Sequence, residues 1–114
     1  LDALEVRVRA LEMAELQSLA ETERTGSPGP GSSALKLQGT ELSQAITEIA
    51  VEAIGPYGFP YQPEATEVGR NAEPVGPEDG VTVLPFYLNN RAATIYAGSS
   101  EVQRNILAKA VLGL

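Results

Sequence analysis

A small-residue corner near the end of the chain carries the clearest chemical pattern in the sequence. Gly98-Ser99-Ser100-Glu101 separates two segments of helical periodicity, and Ser100 is placed to cap the second one, with Gln103 completing a capping box. The first N–H groups of a helix lack partners within it, and the helix dipole favours negative charge beside them. The pattern therefore predicts either a plain helix cap or a place where a phosphate or another anion binds.

The composition excludes several other kinds of site. The 114 residues include neither Cys nor His, which removes disulfides, thiolate and imidazole metal sites, and the commonest general base. The 15 acidic and 8 basic residues give a net charge of −7, so we expect no nucleic-acid partner. Because no apolar run has the length of a membrane span and no segment has the pattern of a signal peptide, we expect a cytoplasmic protein without membrane insertion.

Helical periodicity accounts for most of the chain, and the longest strand-like pattern is only Gly80–Leu84. We predict one all-α domain over residues 1–114, an antiparallel helical bundle with helices at about 1–24, 33–54, 85–96 and 99–112. A Pro-rich loop fills residues 55–84. We expect Tyr57, Phe59 and Tyr61 to order its start, and the part from Glu64 to Gly80 to be mobile.

The first predicted helix has a broad apolar face, made by Leu1, Leu4, Val8, Leu11, Leu16 and Leu19. Because the chain begins inside this pattern, we expect it to be cut from a longer protein and truncated at the N-terminal side of the bundle. An apolar face without its covering helix is poorly tolerated in water. We therefore predict that the isolated chain self-associates, most simply as a twofold dimer.

The segment around the corner resembles a known family. Residues 95–106 read Ile-Tyr-Ala-Gly-Ser-Ser-Glu-Val-Gln-Arg-Asn-Ile and are similar to the "IYxGTSEIQRNII" signature near the end of acyl-CoA dehydrogenases. The similarity continues through Lys109, Leu112 and Gly113. A looser resemblance covers the earlier residues, where the segment 51–58 matches the "AVQxxGGxG" turn that ends a helix in the family.

The resemblance implies a fold and a reaction. In this family an enzyme base removes the α-proton of an acyl-CoA thioester while the flavin of FAD takes the β-hydrogen as hydride, which gives the trans-2-enoyl-CoA. The C-terminal domain is a helical bundle that forms part of the flavin and substrate site and much of the subunit interface. The implied partners are an acyl-CoA, electron-transfer flavoprotein or a similar acceptor, and other subunits in a homo-oligomer (dimer or tetramer) or a hetero-oligomer.

The matched positions imply roles for particular residues. Ala97 and Gly98 stand where the family binds substrate, with the main-chain N–H of residue 97 donating to the thioester carbonyl. Three residues match positions that contact FAD: Ser99, Ser100 and Glu101. Three more match a turn that touches the FAD of the neighbouring subunit: Glu52, Gly55 and Pro56. Two of these depart from the family pattern, because Glu52 replaces Gln and Pro56 replaces Gly.

Ala97 also stands where many family members carry their catalytic Glu, so this chain has no identifiable general base. Three interpretations follow. In some members a small residue occupies this position and the carboxylate comes from an earlier helix of the same domain. Alternatively, the protein is a non-catalytic subunit of a hetero-oligomeric dehydrogenase. It could also be a helical interaction module without a cofactor. We expect the isolated chain neither to bind FAD tightly nor to oxidise acyl-CoA.

Overall fold

The computed structural model describes all residues from Leu1 to Leu114, and they form helices and turns without any strand. The α-helices are α1 (Asp2–Thr25), α2 (Gly31–Ile54), α3 (Pro63–Thr66), α4 (Val83–Asn90) and α5 (Ser100–Leu107). Short 3-10 turns cover Gly55–Gly58, Glu78–Gly80 and Arg91–Thr94, and a π-helical turn, Ala108–Leu112, extends α5. Every helix is too short or too polar to cross a membrane. The all-α prediction is confirmed.

Two helix boundaries differ from the sequence prediction. α2 begins at Gly31 instead of residue 33, and the helix expected over 85–96 is α4 followed by the 3-10 turn of residues 91–94. The strand-like stretch Gly80–Leu84 instead leads into α4. Pro85 occupies the third position of α4, where the missing N–H of proline removes no helical hydrogen bond.

The contacts divide the chain into two compact units, one formed by residues 1–43 with 92–114 and the other by residues 44–91. In the first unit α1 packs antiparallel to α2 at two glycines. A Cβ at Gly39 would lie 3.8 Å from Leu11 Cδ2, and a Cβ at Gly31 would lie 3.5 Å from Ser18 Oγ. A Cβ at either position would make an ordinary van der Waals contact with a side chain of α1, so this packing does not explain the glycine inside α2 or its low helix propensity.

The apolar face of α1 is narrower than the sequence predicted. Leu4, Val8 and Leu11 are half-buried, so the chain's own α2 covers part of the face that we expected to be open. Leu16 and Leu19 are each 59% exposed. At about 100° per residue, Leu16 stands roughly 140° around the helix from Leu11 and so leaves the packed stripe. Self-association stays a prediction, and on α1 the exposed Leu16 and Leu19 are available for it.

Polar contacts fasten the end of α4 to α2 in the second unit. The guanidinium of Arg91 donates from Nη2 to the Gln44 carbonyl at 3.2 Å and to Thr47 Oγ1 at 2.9 Å, and from Nε to the Tyr87 carbonyl at 3.2 Å. It also lies 4.2 Å from the centroid of the Tyr87 ring, a cation–π distance. The Gln44 amide donates in return to the Asn90 carbonyl at 3.2 Å. This positive charge therefore satisfies carbonyl oxygens where the α4 dipole is negative.

The Pro-rich connection folds back on its own start. Gln62 joins Val75 through two hydrogen bonds, accepting from the Val75 N–H at 2.6 Å and donating to the Val75 carbonyl at 3.4 Å. The Tyr57 ring lies so close to Gly76 that a Cβ there would approach it to 2.7 Å, and Gly76 also has a left-handed φ of +88°. The end of the segment expected to be mobile is thus fixed to residues at the beginning of the loop.

Only one of the three aromatic side chains expected to order this loop does so. Tyr57 contacts Gly76, but Phe59 is 71% exposed and Tyr61 88% exposed. The prediction was therefore wrong for Phe59 and Tyr61. Gln62 takes their place because its amide offers both a donor and an acceptor to one backbone position, which an aromatic ring cannot do.

We predict that Arg91→Leu lowers the free energy of unfolding by about 2–4 kcal/mol, because it removes several hydrogen bonds from a charged donor in a partly buried site. Urea unfolding followed by circular dichroism measures the change. Arg70→Leu is the matched control, since Arg70 pairs with Glu67 at 2.7 Å but both side chains are more than half exposed. Such pairs contribute about 0–1 kcal/mol. Equal losses in the two variants would contradict the role given to Arg91.

Candidate functional site

The corner predicted from the sequence is built by two consecutive residues with left-handed backbone. Ala97 has φ +55° and Gly98 has φ +88°, after which Ser99 returns to an extended conformation with ψ 158°. Glycine adopts such angles without strain, whereas alanine does so at a cost of about 1–3 kcal/mol. The corner therefore needs contacts elsewhere that hold Ala97 in place.

Gln103 supplies such a contact from the first turns of α5. Its side-chain Nε2 donates to the Ala97 carbonyl at 3.4 Å. A Cβ at Gly98 would lie 2.5 Å from the same nitrogen, closer than any real Cβ contact. Gly98 is thus required by its backbone angle, and a side chain there would push the flexible end of Gln103 away from the Ala97 carbonyl. The amide holds the carbonyl of Ala97 and fixes the peptide that follows it.

The helix cap is Ser99 and not Ser100. Ser99 Oγ accepts from the Val102 N–H at 3.4 Å, and the Ser99 carbonyl accepts from the Gln103 N–H at 2.9 Å. The predicted cap is therefore wrong by one position, and the predicted capping box is not formed, because the Gln103 side chain donates to the Ala97 carbonyl instead. The physical reason is that the cap must have extended backbone, which Ser99 has, while Ser100 already belongs to the helix and is buried.

The Glu101 carboxylate occupies the start of α5. It accepts hydrogen bonds from its own backbone N–H and from the Ser99 hydroxyl, and with Arg104 and Lys36 nearby these hold the pKa of Glu101 below its usual range. The carboxylate therefore takes donors that the sequence pattern offered to an external anion. As folded, the corner presents a negative charge, which suits a ligand that donates hydrogen bonds from hydroxyl or amine groups.

Two contacts between residues far apart in the sequence connect the corner to α2 within the first unit. Arg104 Nη2 lies 2.9 Å from Glu41 Oε1, and Lys36 Nζ donates to the Ala93 carbonyl at 3.1 Å. The ion pair is half exposed, so it contributes at most about 1 kcal/mol. The lysine contact lies just before the corner, where Ala93 is one of three buried apolar residues of the protein. Both contacts orient the segments on either side of Ala97.

The other predicted site residues lie in the second unit, at the end of α2. Gly55 has φ +57° and opens the 3-10 turn, a conformation that favours glycine. Glu52 and Pro56 are exposed, and Pro56 has no N–H to offer a ligand. No cluster of carboxylates able to hold a metal ion is present in the chain. Sequence reasoning missed the part played by Gln103, because a contact across six residues to a backbone carbonyl has no signature in composition or periodicity.

We predict that Gly98→Ala destabilises the protein by about 1–2 kcal/mol through left-handed strain, and by up to about 1 kcal/mol more because the Gln103 amide is displaced from the Ala97 carbonyl. Gly113→Ala serves as the control, since Gly113 has a φ of +70° but a Cβ there would have nothing within 4 Å. That change should cost only the strain, about 1–2 kcal/mol. Thermal unfolding of the variants measures both. Gln103→Ala should cost less in the Gly98→Ala protein than alone, and purely additive losses would rule out the proposed displacement.

A second prediction concerns the titration of Glu101. Ser99→Ala removes one of the hydrogen bonds that lower the pKa of Glu101, so this pKa should rise towards its usual value. Because the folded-state pKa is lowered, Glu101 stabilises the fold above the pKa of the unfolded chain, and this contribution is lost as the pH falls through the folded-state pKa. A carboxyl-carbon NMR titration follows the shift, with Ser27→Ala as control. An unchanged titration in Ser99→Ala would show that the hydroxyl does not bind the carboxylate.

Comparison with known proteins shows which family the sequence belongs to. Residues 1–112 match the family described as "Acyl-CoA dehydrogenase, C-terminal domain". A segment of 29 residues, 25% of the chain, is 68% identical to acyl-CoA dehydrogenase IpdE1 of Mycolicibacterium smegmatis and equally to that of Mycobacterium tuberculosis. This match covers only 7% and 8% of the length of these two relatives, and no solved structure matches. Because the family match spans nearly the whole sequence, the chain belongs to the acyl-CoA dehydrogenase C-terminal domain family.

Proposed function

We propose that this chain is part of a FAD-dependent acyl-CoA dehydrogenase that oxidises an acyl-CoA thioester to the trans-2-enoyl-CoA. The observation that carries the proposal is the corner at residues 97–99, whose left-handed backbone is held by Gln103 at the start of α5. It lies within the segment that matches the family. The chain would contribute backbone groups to the flavin and substrate site and surface to a subunit interface, in a cytoplasmic oligomer that passes electrons to electron-transfer flavoprotein or a similar acceptor.

The role proposed for Ala97 rests on its backbone. Its side chain cannot move a proton, but its N–H is a donor whose position depends on the strained corner and not on the residue type. A hydrogen bond from this N–H to the thioester carbonyl would stabilise the negative charge that develops on the oxygen when the α-proton leaves. A donor held by a fixed backbone costs little reorganisation during the reaction. The Gln103 contact is what fixes that backbone.

The residues of the corner fit one part of FAD better than another. FAD, when bound, supplies the acceptor for the hydride. The Glu101 carboxylate lies at the helix N-terminus and would accept hydrogen bonds from sugar-like hydroxyls, while it would repel a pyrophosphate. Ser99 already bonds the Val102 N–H, and Ser100 is buried, so its backbone is the more accessible contact. Glu52 carries a negative charge and Pro56 has no N–H, so Gly55 is the member of that turn best suited to approach a ligand.

The catalytic base has to come from outside this chain. One arrangement places it on a helix that precedes Leu1 in the full-length protein. The other leaves the subunit without a base, as a non-catalytic member of a hetero-oligomeric dehydrogenase. Both arrangements are compatible with an alanine at position 97, so this residue does not distinguish between them.

Ala97→Glu in the full-length protein separates these arrangements. With a base supplied elsewhere, a second carboxylate close to it raises one pKa and we expect a clear fall in the rate. Without any base, the substitution introduces one and the rate should rise from near zero. Steady-state oxidation of acyl-CoA with an artificial electron acceptor measures both outcomes. Ala92→Glu, also exposed and five residues upstream, is the control, and equal rates in the two variants would place residue 97 outside the site.

FAD binding can be tested separately from the catalytic base. We expect the full-length protein to be yellow, with the absorption of bound flavin, and the isolated chain to bind FAD weakly, because a helix N-terminus offers only about 0.3–1 kcal/mol of dipole stabilisation. Absorption spectra and fluorescence quenching measure the two. A colourless full-length protein that takes up no FAD would favour the cofactor-free helical interaction module.

A further inference from the structure

An apolar groove lies within the unit formed by residues 44–91, and none of the candidate site residues lines it. Its volume is about 670 Å³, which is within the range of about 300–1,000 Å³ typical of small-molecule clefts. Val81, Leu84 and Leu88 form one wall along α4 and the residues just before it, and Phe59 and Tyr61 stand on the other side. The groove is therefore large enough for a ligand and belongs to no site described so far.

The walls of the groove are held before any ligand arrives. Gln62 is fixed by its two hydrogen bonds to Val75, and the neighbouring Pro60 and Pro63 have backbone φ angles restricted by their rings. The floor at Gly58 is packed so tightly that a Cβ there would lie 2.9 Å from Ile54 Cγ2. Little conformational entropy is lost when a rigid groove of this kind is filled.

The electrostatics of the groove disfavour an anionic occupant. No charged residue contributes to its lining. The unit around it, residues 44–91, contains seven acidic residues against only Arg70 and Arg91 as cations. Arg70 is paired with Glu67, and Arg91 is engaged at the end of α4. A carboxylate or phosphate head group would therefore meet a negative potential without a counter-charge in the groove.

The hydrogen-bonding groups of the groove also disfavour a bound peptide. Both atoms of the Gln62 amide are used by Val75, and the Thr66 hydroxyl donates to the Pro63 carbonyl at 2.9 Å. Three lining prolines, Pro60, Pro63 and Pro85, have no N–H with which to pair an added strand. An extended peptide would lose the water around its backbone and find few partners in return. The best match is a ligand that needs few hydrogen bonds.

From these observations we propose that the groove binds an uncharged, largely hydrocarbon small molecule, with an alkyl chain or fused rings and at most a hydroxyl or keto group. Phe59, Tyr61 and Leu88 are 71%, 88% and 59% exposed, so such a ligand would cover apolar surface that now faces water. The ligand is a free neutral lipid, because the phosphates of a coenzyme A thioester would meet the negative charge of the unit. The proposal does not depend on the dehydrogenase reaction.

The test uses the full-length protein and the neutral fluorescent probe N-phenyl-1-naphthylamine. We expect saturable binding that 1-dodecanol displaces and that dodecanoate displaces at least roughly tenfold less well, because the carboxylate meets the negative unit. Leu88→Gln should weaken the displaceable binding roughly tenfold, the loss expected when one aliphatic contact is removed. Phe86→Gln is the matched control: Phe86 lies on the same helix with the same 59% exposure but does not line the groove.

Each outcome decides a part of the proposal. Displacement by dodecanol that is lost in Leu88→Gln would support a free neutral lipid, whereas equal displacement by dodecanoyl-CoA would overturn that assignment, because its head group is strongly anionic. Absence of saturable binding, or binding that Leu88→Gln leaves intact, would overturn the proposal and indicate that other parts of the protein or a protein partner fill the groove. Equal displacement by dodecanoate would overturn its restriction to uncharged ligands. Acyl-CoA oxidation measured in parallel shows whether the dehydrogenase function fails separately.

Discussion

The hydrogen bond between the Gln103 amide and the Ala97 carbonyl is the contact on which the candidate site depends. It compensates for a left-handed alanine, and it requires the glycine that follows to have no side chain. The corner then places Ser99 as the helix cap and Glu101 in the first turn, where the carboxylate accepts its hydrogen bonds. A single amide therefore links the strained backbone, the start of α5 and the charge of the site. An exposed 3.4 Å hydrogen bond is weak alone, so the contacts of Arg104 and Lys36 with the rest of the first unit matter as well.

In each of the two units, the neighbouring segments contact residues of α2. In the first unit it meets α1 at Gly39, holds Arg104 through Glu41 and provides Lys36 to the Ala93 carbonyl. In the second unit its later residues Gln44 and Thr47 receive Arg91. Most of these contacts are polar, and the buried apolar residues are only Leu37, Leu42 and Ala93. Directional hydrogen bonds thus fix segments that a small apolar core would hold loosely.

In many members of the family the residue at this position both donates its backbone N–H to the substrate and removes the α-proton. Because residue 97 is alanine here, the two tasks are separated. The backbone N–H at this position is independent of the side chain, so the polarising role proposed for it is compatible with alanine. Proton removal is not compatible with alanine, so under the proposed function it would need a group from outside this chain. The exposed aliphatic and aromatic side chains, in α1 and around the groove, likewise offer surface that further parts of an assembly or a ligand can cover.

The sequence by itself determined the helical class, the family and the position of the corner, because apolar periodicity, Gly and Pro breaks and a continuous motif are local properties of the chain. It placed α1, α2 and the start of α5 to within about two residues, as expected for frayed helix ends, whereas α5 ends at Leu107 and a π-helical turn follows it. Tertiary structure decided what depends on contacts between distant residues: Ser99 instead of Ser100 as the cap, Gln62 instead of Phe59 and Tyr61 as the loop anchor, and Arg91 as the fastening of α4. The narrower packed face of α1 was decided in the same way, by which residues α2 covers. Such outcomes follow from which donor reaches which acceptor in three dimensions, and residue order alone does not encode those distances.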